Sequence, residues 1–254
     1  MENKKTCILV ITSITHQEVY KHYITSHWKD LLDNKYSISV YFLLDNNKEL
    51  IDFFKTHNLI KYCIINENDN CVSTYIPGIL SKTIFSFETL VDKYDVYLRT
   101  NLSSYIKIDK LFEYIQNNNI IYSGIWCWAN GLREDLLYHN KVGIDKSIKT
   151  LEELDKYPGN TFFSGSCFFL NNDEVQYIIN NKDIIRYDII DDVSIGLLLK
   201  NYNQIHINNL VITNDSDIDE SVKAIKSMDG FWIRFQNLNV DKAKLLYDKL
   251  INNM

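Results

Sequence analysis

Short apolar runs alternate with helical stretches over residues 7–98, and this alternation limits the possible folds more than any other feature of the sequence. Runs rich in β-branched and aromatic residues predict strands at residues 7–11, 38–44, 60–65 and 96–98. Apolar residues at helical spacing predict helices at residues 16–32, 48–57 and 79–94, the last one after a Pro-Gly pair. Strands that alternate with helices pair mainly in parallel. We therefore predict an α/β fold with a mainly parallel central sheet flanked by helices.

The second half of the chain is less regular. Strands are predicted at residues 120–125, 162–170, 205–211 and 231–235, and helices at residues 173–180, 191–200 and 241–251. The polar stretch at residues 214–222 is predicted to be a mobile loop. The sequence contains no internal repeat, linker or low-complexity segment. We therefore predict a single domain over residues 1–254.

Composition excludes several classes of protein. The net charge of -6 and the isoelectric point of about 5.5 argue against a general nucleic-acid binder, which carries a basic face. The apolar run at residues 7–11 is too short to span a membrane and lacks signal-peptide character, so we expect no membrane span. Five cysteines without a CxxC pair indicate free thiols in a reducing compartment, and we expect a cytoplasmic protein. Abundant Asn, Ile, Lys and Tyr are typical of an AT-rich viral or microbial genome.

Ligands of mainly parallel sheets bind beside the carboxyl ends of the strands. The loops after the first, second and fourth predicted strands, at residues 12–15, 45–47 and 99–104, are therefore the first candidates for a binding site. The sequence has no GxGxxG after its first strand, no GxxxxGK[ST] and no GxSxG. Dinucleotide-binding, P-loop and α/β-hydrolase sites thus lose their main support.

Four segments in fixed order resemble motifs of one enzyme family. They are Ile-Leu-Ser-Lys-Thr at 79–83, Leu-Arg-Thr-Asn-Leu-Ser at 98–103, a Tyr-Pro-Gly start with an internal Ser-Gly-Ser within 157–170, and Asp-Asp-Val-Ser-Ile-Gly at 191–196. The galactosyltransferase and fringe-type glycosyltransferases carry similar motifs: a Leu-Lys-Thr helix, a strand ending in Lys-Thr-Asp-Asp-Asp, a Tyr-Pro…Gly…Gly-Tyr strand and a Glu-Asp-Val-x-x-Gly helix start. The similarity spans residues 73–200, and it implies a single-domain, Rossmann-like GT-A fold.

The resemblance implies a glycosyltransferase that moves a sugar from a nucleotide-diphosphate sugar, with a UDP-sugar favoured, to a hydroxyl of a glycan or glycoprotein acceptor. It divides the domain into a nucleotide-binding half at residues 1–105, an acceptor and catalytic half at 106–213, and a C-terminal loop and helix at 214–254. Thr12, Ser13 and Asp45 then lie where the base and ribose would bind, although turn-forming or capping roles explain them as well.

The chain departs from the family at the acidic metal-binding triplet, where it has Asn101-Leu102-Ser103. Carboxylates at these positions hold a Mn²⁺ or Mg²⁺ ion that bridges the diphosphate, whereas amide and hydroxyl oxygens are weaker ligands for a hard cation. Two explanations remain open. Either the metal binds chiefly through the substrate phosphates, with Asn101 and Ser103 as weak ligands, or cationic side chains replace it.

Lys82, Arg99 and Arg234 are the candidate cations for the diphosphate. Lys82 lies on the family's Leu-Lys-Thr helix, Arg99 precedes the altered triplet, and Arg234 lies near the C-terminus, where related folds close over the diphosphate. An arginine offers a planar fork that fits phosphate oxygens. The alternative is that each of the three pairs with a carboxylate of the protein.

Asp191 and Asp192 are the candidate catalytic residues. An inverting transferase needs a carboxylate to accept the proton of the acceptor hydroxyl, and Asp192, directly before Val193, matches the family's base. A single base implies inversion at the sugar carbon, and a retaining mechanism stays open as the alternative. Two acids at a predicted helix start also complement the helix dipole, so a capping role explains them too. The two roles are compatible, because one aspartate can cap the helix while the other faces the cleft.

Ser164-Gly165-Ser166 and Trp126 are further candidates for substrate contacts. A glycine inside a strand marks either the close approach of a ligand or a β-bulge. In the family this segment lines the donor-sugar and acceptor pocket. Trp126 and Trp128 suit stacking on a sugar face, but core packing explains such residues equally well.

Two functions of other classes remain. The first is a non-catalytic nucleotide-sugar or carbohydrate-binding module on a degenerate glycosyltransferase fold; the altered triplet favours it, and Asp191-Asp192 disfavours it. The second is another nucleotide-dependent enzyme, such as a nucleotidyltransferase. That class usually has a Gly-rich loop after the first strand, which residues 12–15 do not supply.

Overall fold

A seven-stranded sheet and a three-stranded sheet organise the fold. The computed structural model describes residues 3–12, 17–66, 78–127, 146–156, 162–208, 210–214, 218–227, 229–236 and 239–251. In chain order the strands are β1 Thr6–Ile11, β2 Ser39–Asp45, β3 Cys63–Asn66, β4 Val96–Asn101, β5 Ser104–Ile106, β6 Ser123–Cys127, β7 Phe162–Asn171, β8 Ile205–His206, β9 Leu210–Asn214 and β10 Trp232–Gln236. The larger sheet has the order β3-β2-β1-β4-β7-β6-β8, and the smaller one β5-β10-β9.

Helices connect the strands on both faces of the larger sheet. They are α1 Gln17–Tyr23, α2 Lys29–Leu31, α3 Lys48–Thr56, α4 Gly78–Leu90, α5 Ile108–Asn117, α6 Lys146–Lys156, α7 Asn172–Asn180, α8 Asp191–Leu198, α9 Ile218–Ser227 and α10 Val240–Ile251. A π-helical segment, Ile24–Trp28, joins α1 to α2, and 3-10 turns lie at Ile60–Tyr62 and Lys182–Ile184. Over the ranges just given, no helix has the length and hydrophobicity needed to cross a membrane.

The pairing of the larger sheet is mainly parallel, as predicted. Strand β1 pairs in parallel with β2 and β4, β2 with β3, and β6 with β8. Among the described strands of this sheet, only β7 runs against its neighbours, β4 and β6. The carboxyl ends of β1, β2, β3 and β4 therefore meet at one edge of the sheet, which we call the carboxyl edge.

The larger sheet is buried on both faces, which explains why its first strands are continuous apolar runs. Successive side chains of a strand point to opposite faces. Ile8 and Val10 pack into one layer of the core, and Cys7 and Leu9 pack into the other. Residues of α1, α3 and α5 cover the first layer, and residues of α4, α7 and α8 cover the second.

The smaller sheet is fixed to the end of β4. Trp232 of β10 is fully buried, and its Nε1 donates a hydrogen bond to Thr100 Oγ1 at 3.0 Å. Thr100 Oγ1 also lies 2.8 Å from Ser104 Oγ and 2.9 Å from the carbonyl oxygen of Ser166. One threonine thus connects β4 to both β5 and β7 and to the smaller sheet.

Four sequence predictions need correction. The strand predicted at 120–125 begins only at Ser123. The strand predicted at 60–65 begins only at Cys63, because residues 60–62 form a 3-10 turn. The strand predicted at 205–211 is two strands, since β8 pairs with β6 in the larger sheet and β9 with β10 in the smaller one. The loop predicted at 214–222 contains the start of α9, which buries Val222 and Ile225 against apolar residues of β10 and α10.

Candidate active site

The predicted site residues of four elements lie at or near the carboxyl edge. Strand β1 ends before Thr12, β2 ends at Asp45, and β4 ends at Asn101. Helix α8 begins at Asp191 and packs against β7, the antiparallel neighbour of β4. The edge therefore carries two groups of polar side chains, one beside β1 and β2 and one beside β4 and β7.

The first group, the Lys82 cluster, consists of Thr12, Asp45 and Lys82, all of them buried. Lys82 Nζ donates to the carbonyl oxygen of Thr12 at 2.9 Å and lies 3.4 Å from Asp45 Oδ2. Thr12 Oγ1 donates to the carbonyl oxygen of Leu43. The lysine thus fixes α4 to the ends of two strands. Asp45 Oδ1 is buried and has no hydrogen-bond partner among the residues described.

The second group, the Asp192 cluster, consists of Arg99, Gly165, Asp191 and Asp192. Arg99 Nη2 donates to Asp191 Oδ2 at 2.7 Å, and both side chains are almost completely buried. The Arg99 guanidinium also lies over the ring of Phe168, with 5.7 Å between Cζ and the ring centroid. Arg99 is therefore held by a short, buried ion pair within the protein.

Asp192 accepts two backbone hydrogen bonds. Gly165 N donates to Oδ2 at 3.0 Å, and Val193 N donates to Oδ1 at 2.9 Å. The residue is 8% exposed, so the carboxylate is largely removed from water. Burial and, next, the charge of Asp191 raise the pKa of Asp192 to about 7; the Gly165 N–H, the charge of Arg99 and the Val193 N–H oppose this rise. A carboxylate of this kind is suited to accept a proton near neutral pH.

Helix α8 begins without a side-chain cap. Ile190 is the residue before its first turn, and no side-chain hydrogen bond caps the helix there. Asp191 and Asp192 are in the first turn, where negative charge complements the helix dipole. The capping alternative is thus limited to this dipole interaction and to the bond between Asp192 and Val193 N. Neither requires two adjacent acids.

Gly165 is packed so closely that a larger residue would disturb the cluster. A Cβ atom at this position would lie 2.8 Å from Arg99 Nη1 and 3.3 Å from Asp191 Oδ2. The neighbouring hydroxyls of Ser164 and Ser166 lie 2.7 Å apart. Ser164 is half-buried and Ser166 is buried, so of the two only Ser164 is well placed to meet a ligand.

The residues at the position of the acidic triplet do not fit a site for Mn²⁺ or Mg²⁺. Leu102 is buried in the core, and its carbonyl oxygen accepts a hydrogen bond from Trp28 Nε1 at 2.9 Å. Asn101 and Ser103 are half-buried and contribute neutral oxygens only. Hard divalent cations prefer carboxylates. In the described part of the chain no three His, Cys, Asp or Glu side chains lie together as a set of ligands.

Arg234 lies next to this altered triplet. It is half-buried on β10, and it pairs in register with Ser104, the residue that follows the triplet. Residues 232 and 234 are on the same face of β10 because side chains alternate along a strand. Trp232 reaches Thr100 near the end of β4. Arg234 therefore belongs to the face of the smaller sheet that meets the carboxyl edge.

The two clusters serve different parts of the edge. Strand β1 pairs Leu9 with Arg99 on one side and Ile11 with Leu43 on the other. Leu9 is thus level with Tyr41 of β2 as well as with Arg99 of β4. Asp45 lies four residues beyond Tyr41 along β2, and β2 is separated from β4 by β1. From the usual strand dimensions, the Cα atoms of Asp45 and Arg99 are about 13 Å apart along the strands and about 10 Å apart across them.

Some sequence predictions lie outside the described residues. These are Ser13, Trp128 and the side chain of Trp126, whose backbone belongs to β6. Thr100, in contrast, was not predicted as a site residue, yet it connects three elements of the edge. Thr100 lies between the predicted site residues Arg99 and Asn101, and this position in the sequence is the signal that could have identified it.

Three of the solved structures that are similar to this chain are glycosyltransferases. The apo form of the bifunctional glycosyltransferase WbbM has a TM-score of 0.52 and 10% identity, covering 97% of this chain and 50% of its own. A glycosyltransferase involved in glycosylation of the major capsid of PBCV-1 has a TM-score of 0.49 and 8% identity, covering 95% and 98%. The galactosyltransferase LgtC, with donor and acceptor sugar analogs, has a TM-score of 0.48 and 10% identity, covering 96% of each chain.

At these identities the likeness concerns the fold, which is the GT-A fold. A comparison with curated protein sequences gives no match. The galactosyltransferase family profile, in contrast, matches residues 70–211, more than half of the 254 residues, and includes Lys82, Arg99, Gly165 and Asp192. The family match supports glycosyl transfer as the activity. The chain belongs to the galactosyltransferase family.

Proposed function

We propose that the protein transfers a sugar from a nucleotide-diphosphate sugar to a hydroxyl of a glycan or glycoprotein, with inversion at the anomeric carbon and with Asp192 as the base. A UDP-sugar is the first donor to test. One observation carries the proposal: at the carboxyl edge, two backbone N–H groups hold a carboxylate whose pKa is raised to about 7.

In the proposed reaction the acceptor oxygen attacks the anomeric carbon from the face opposite the diphosphate. The bond between that carbon and the diphosphate oxygen breaks, and the nucleoside diphosphate leaves with the electron pair. The proton of the acceptor hydroxyl passes to the Asp192 carboxylate, which must be in its ionised form to accept it. A base with a pKa near the working pH is strong enough to accept the proton and is still largely available in its charged form.

The Lys82 cluster supports a nucleoside site. Asp45 Oδ1 is buried and accepts no hydrogen bond from a described residue. A buried acceptor without a partner costs about 1–3 kcal/mol. A base N–H or a ribose hydroxyl of the donor would satisfy it. An extended nucleotide-sugar is long enough to place its nucleoside here and its sugar near the Asp192 cluster.

We assign the diphosphate to Arg234 rather than to a metal ion. Arg234 lies beside Ser104, next to the altered triplet, whereas Lys82 is buried and its Nζ already contacts Thr12 and Asp45. Positive side chains can stabilise the charge that develops on the leaving diphosphate. Arg99, predicted as a third phosphate ligand, already pairs with Asp191. No step of the proposal requires the triplet to hold a cation.

A donor screen tests the proposal. The protein is titrated with UDP-, GDP- and dTDP-sugars in a thermal-shift assay, and release of the nucleoside diphosphate is then followed over hours. We expect one nucleotide class to stabilise the protein and to be consumed. Asp45→Asn, which changes one oxygen of the nucleoside site, should weaken binding of that donor. If no nucleotide-sugar binds, the proposal is wrong.

The altered triplet favours a second candidate, a binding module without catalysis. Such a module would bind a nucleotide-sugar or glycan on the same edge but would not break the bond to the diphosphate. The same screen separates the two candidates. Donor binding with no release of nucleoside diphosphate, even with a broad set of glycan acceptors, would support the binding module.

A further inference from the structure

The ion pair between Arg99 and Asp191 is a built feature of the Asp192 cluster. The side chains of Arg99 and Asp191 are 2% and 6% exposed, and 2.7 Å separates Arg99 Nη2 from Asp191 Oδ2. Removing one partner of a buried ion pair leaves an uncompensated charge, which is strongly destabilising. The ring of Phe168 lies against the guanidinium and limits its movement. The orientation of Arg99 is thus fixed from two sides.

This pair contacts the same glycine that holds Asp192. The position of a Cβ on Gly165 would be 2.8 Å from Arg99 Nη1 and 3.3 Å from Asp191 Oδ2, so the pair packs directly on the Gly165 backbone. Gly165 N in turn donates to Asp192 Oδ2 at 3.0 Å. Asp191 also begins α8, the helix that carries Asp192. Arg99 therefore reaches Asp192 by two routes, one through β7 and one through α8.

We propose that Arg99 is a positioning residue for Asp192: it fixes the first turn of α8 through Asp191 and balances the charge of Asp191 beside the base. The proposal rests on the proposed function only for the role of Asp192 as the base. It gives Arg99 a task other than phosphate binding.

Charge balance makes the proposal specific. In the described part of the chain, the charged groups that face Asp192 are Arg99 from β4 and Asp191 from α8, whereas β7 contributes the backbone of Gly165. Without Arg99, two carboxylates would be neighbours with no cation between them, and like charges resist ionisation together. Without Asp191, the charge of Arg99 would act on Asp192 alone. Removal of Arg99 should therefore raise the ionisation midpoint of Asp192, and removal of Asp191 should lower it.

The test measures the ionisation midpoint of Asp192 directly. Protein labelled with ¹³C-aspartate is titrated by carboxyl NMR, and Asp192→Asn identifies the signal. We expect Arg99→Met to raise the midpoint by about one pH unit or more, and Asp191→Asn to lower it by a similar amount. Arg99→Lys keeps the positive charge, so its Asp192 midpoint should be the closest to that of the wild-type protein. The acidic limb of the kcat/KM profile should move with the NMR midpoint.

A purely structural role for Arg99 predicts something else. Both single variants would then lose activity without any shift of the midpoint, or with shifts in the same direction, and either result would overturn the proposal. If Arg99→Met does not fold, the Arg99→Met/Asp191→Asn double variant replaces it, because it buries no charge at these two positions. Compared with Asp191→Asn alone, the double variant should have the higher midpoint. An equal midpoint overturns the proposal.

The NMR readout separates this inference from the proposed function. Opposite shifts in a protein that transfers no sugar would support the positioning role and contradict the glycosyltransferase mechanism. If sugar transfer depends on Asp192 but the Arg99 and Asp191 variants do not shift its ionisation midpoint, the glycosyltransferase mechanism is supported and the positioning role is contradicted.

Discussion

Replacing Asp192 with asparagine should change how the stability of the protein depends on pH. Burial raises the pKa of this carboxyl from its ordinary value near 4 to about 7. The folded protein then holds the proton more tightly than the unfolded chain does. The resulting stabilisation is complete below about pH 4 and disappears as the pH rises through about 7.

The size of the effect follows from the two pKa values. Between pH 5 and pH 8, this group should cost the folded wild-type protein about 2–3 kcal/mol of stability. Asparagine does not titrate, so the variant escapes this loss. The amide oxygen of asparagine can accept one of the hydrogen bonds from Gly165 N and Val193 N, but the amide nitrogen cannot accept the other. This loss costs about 1–3 kcal/mol at every pH. The variant should thus be less stable at pH 5 and lose less stability toward pH 8.

Glu174→Gln is a matched control. Glu174 is also buried, accepts hydrogen bonds from Tyr122 N at 2.8 Å and Asn171 N at 2.9 Å, and has its pKa raised to about 7, mainly by burial. It lies at the opposite edge of the sheet, because Asn171 pairs with Val96 at the start of β4. Its variant should show a similar change of pH dependence and should keep its activity.

Urea unfolding at pH 5 and pH 8 measures the difference, with the free energy of unfolding obtained by linear extrapolation. The stability difference between Asp192→Asn and wild type should change by about 2–3 kcal/mol between the two pH values. If the difference is the same at both, the raised pKa of Asp192 is refuted.

Three further predictions concern the surroundings of the base. Gly165→Ala should lower kcat without changing donor affinity, because its Cβ would lie 2.8 Å from Arg99 Nη1; kinetics together with donor titration check this, and an unchanged kcat contradicts it. Arg234→Ala should raise the donor dissociation constant by about tenfold or more, the loss expected for one charge-assisted hydrogen bond, while Lys226→Ala, which removes an exposed cation of α9, should not. EDTA should leave turnover unchanged, since the triplet lacks carboxylates; loss of activity restored by Mn²⁺ would show that a cation is required.

The first strands of the sheet were predictable from sequence because they are buried on both faces. Residues 7–10 are fully buried and form an unbroken apolar run, and such runs identify central parallel strands. Strand β5 has three residues, too few to show a period. Helix α5 was not predicted, although Leu111 and Ile115, one helical turn apart, are both fully buried. That signal was present in the sequence.

Other differences arise from contacts between distant parts of the chain. Residues 205–211 look like one strand, because an apolar run does not show where a chain leaves one sheet for another. Helix α9 was hidden by its polar first turn, whose Asp219 and Glu220 are typical of a helix start. The partner of Arg99 is 92 positions away, so its ion pair with Asp191 could not be predicted from local sequence.

The candidate site was accessible through motif order rather than through any single motif. Gly165 and Asp192 were selected from separate segments, and the structure joins them by one hydrogen bond. The raised pKa of Asp192 depends on burial, which no local pattern reveals. The roles of Thr12, Asp45, Lys82 and Arg234 in substrate binding stay predictions.

The most direct test of the central claim compares sugar transfer by wild type, Asp192→Asn and Glu174→Gln at saturating donor, with donor affinity measured in parallel. A base at position 192 predicts that Asp192→Asn loses about 10²–10⁴-fold in kcat while its donor affinity remains that of wild type. Glu174→Gln should transfer sugar at the wild-type rate. Wild-type turnover by Asp192→Asn would contradict the claim.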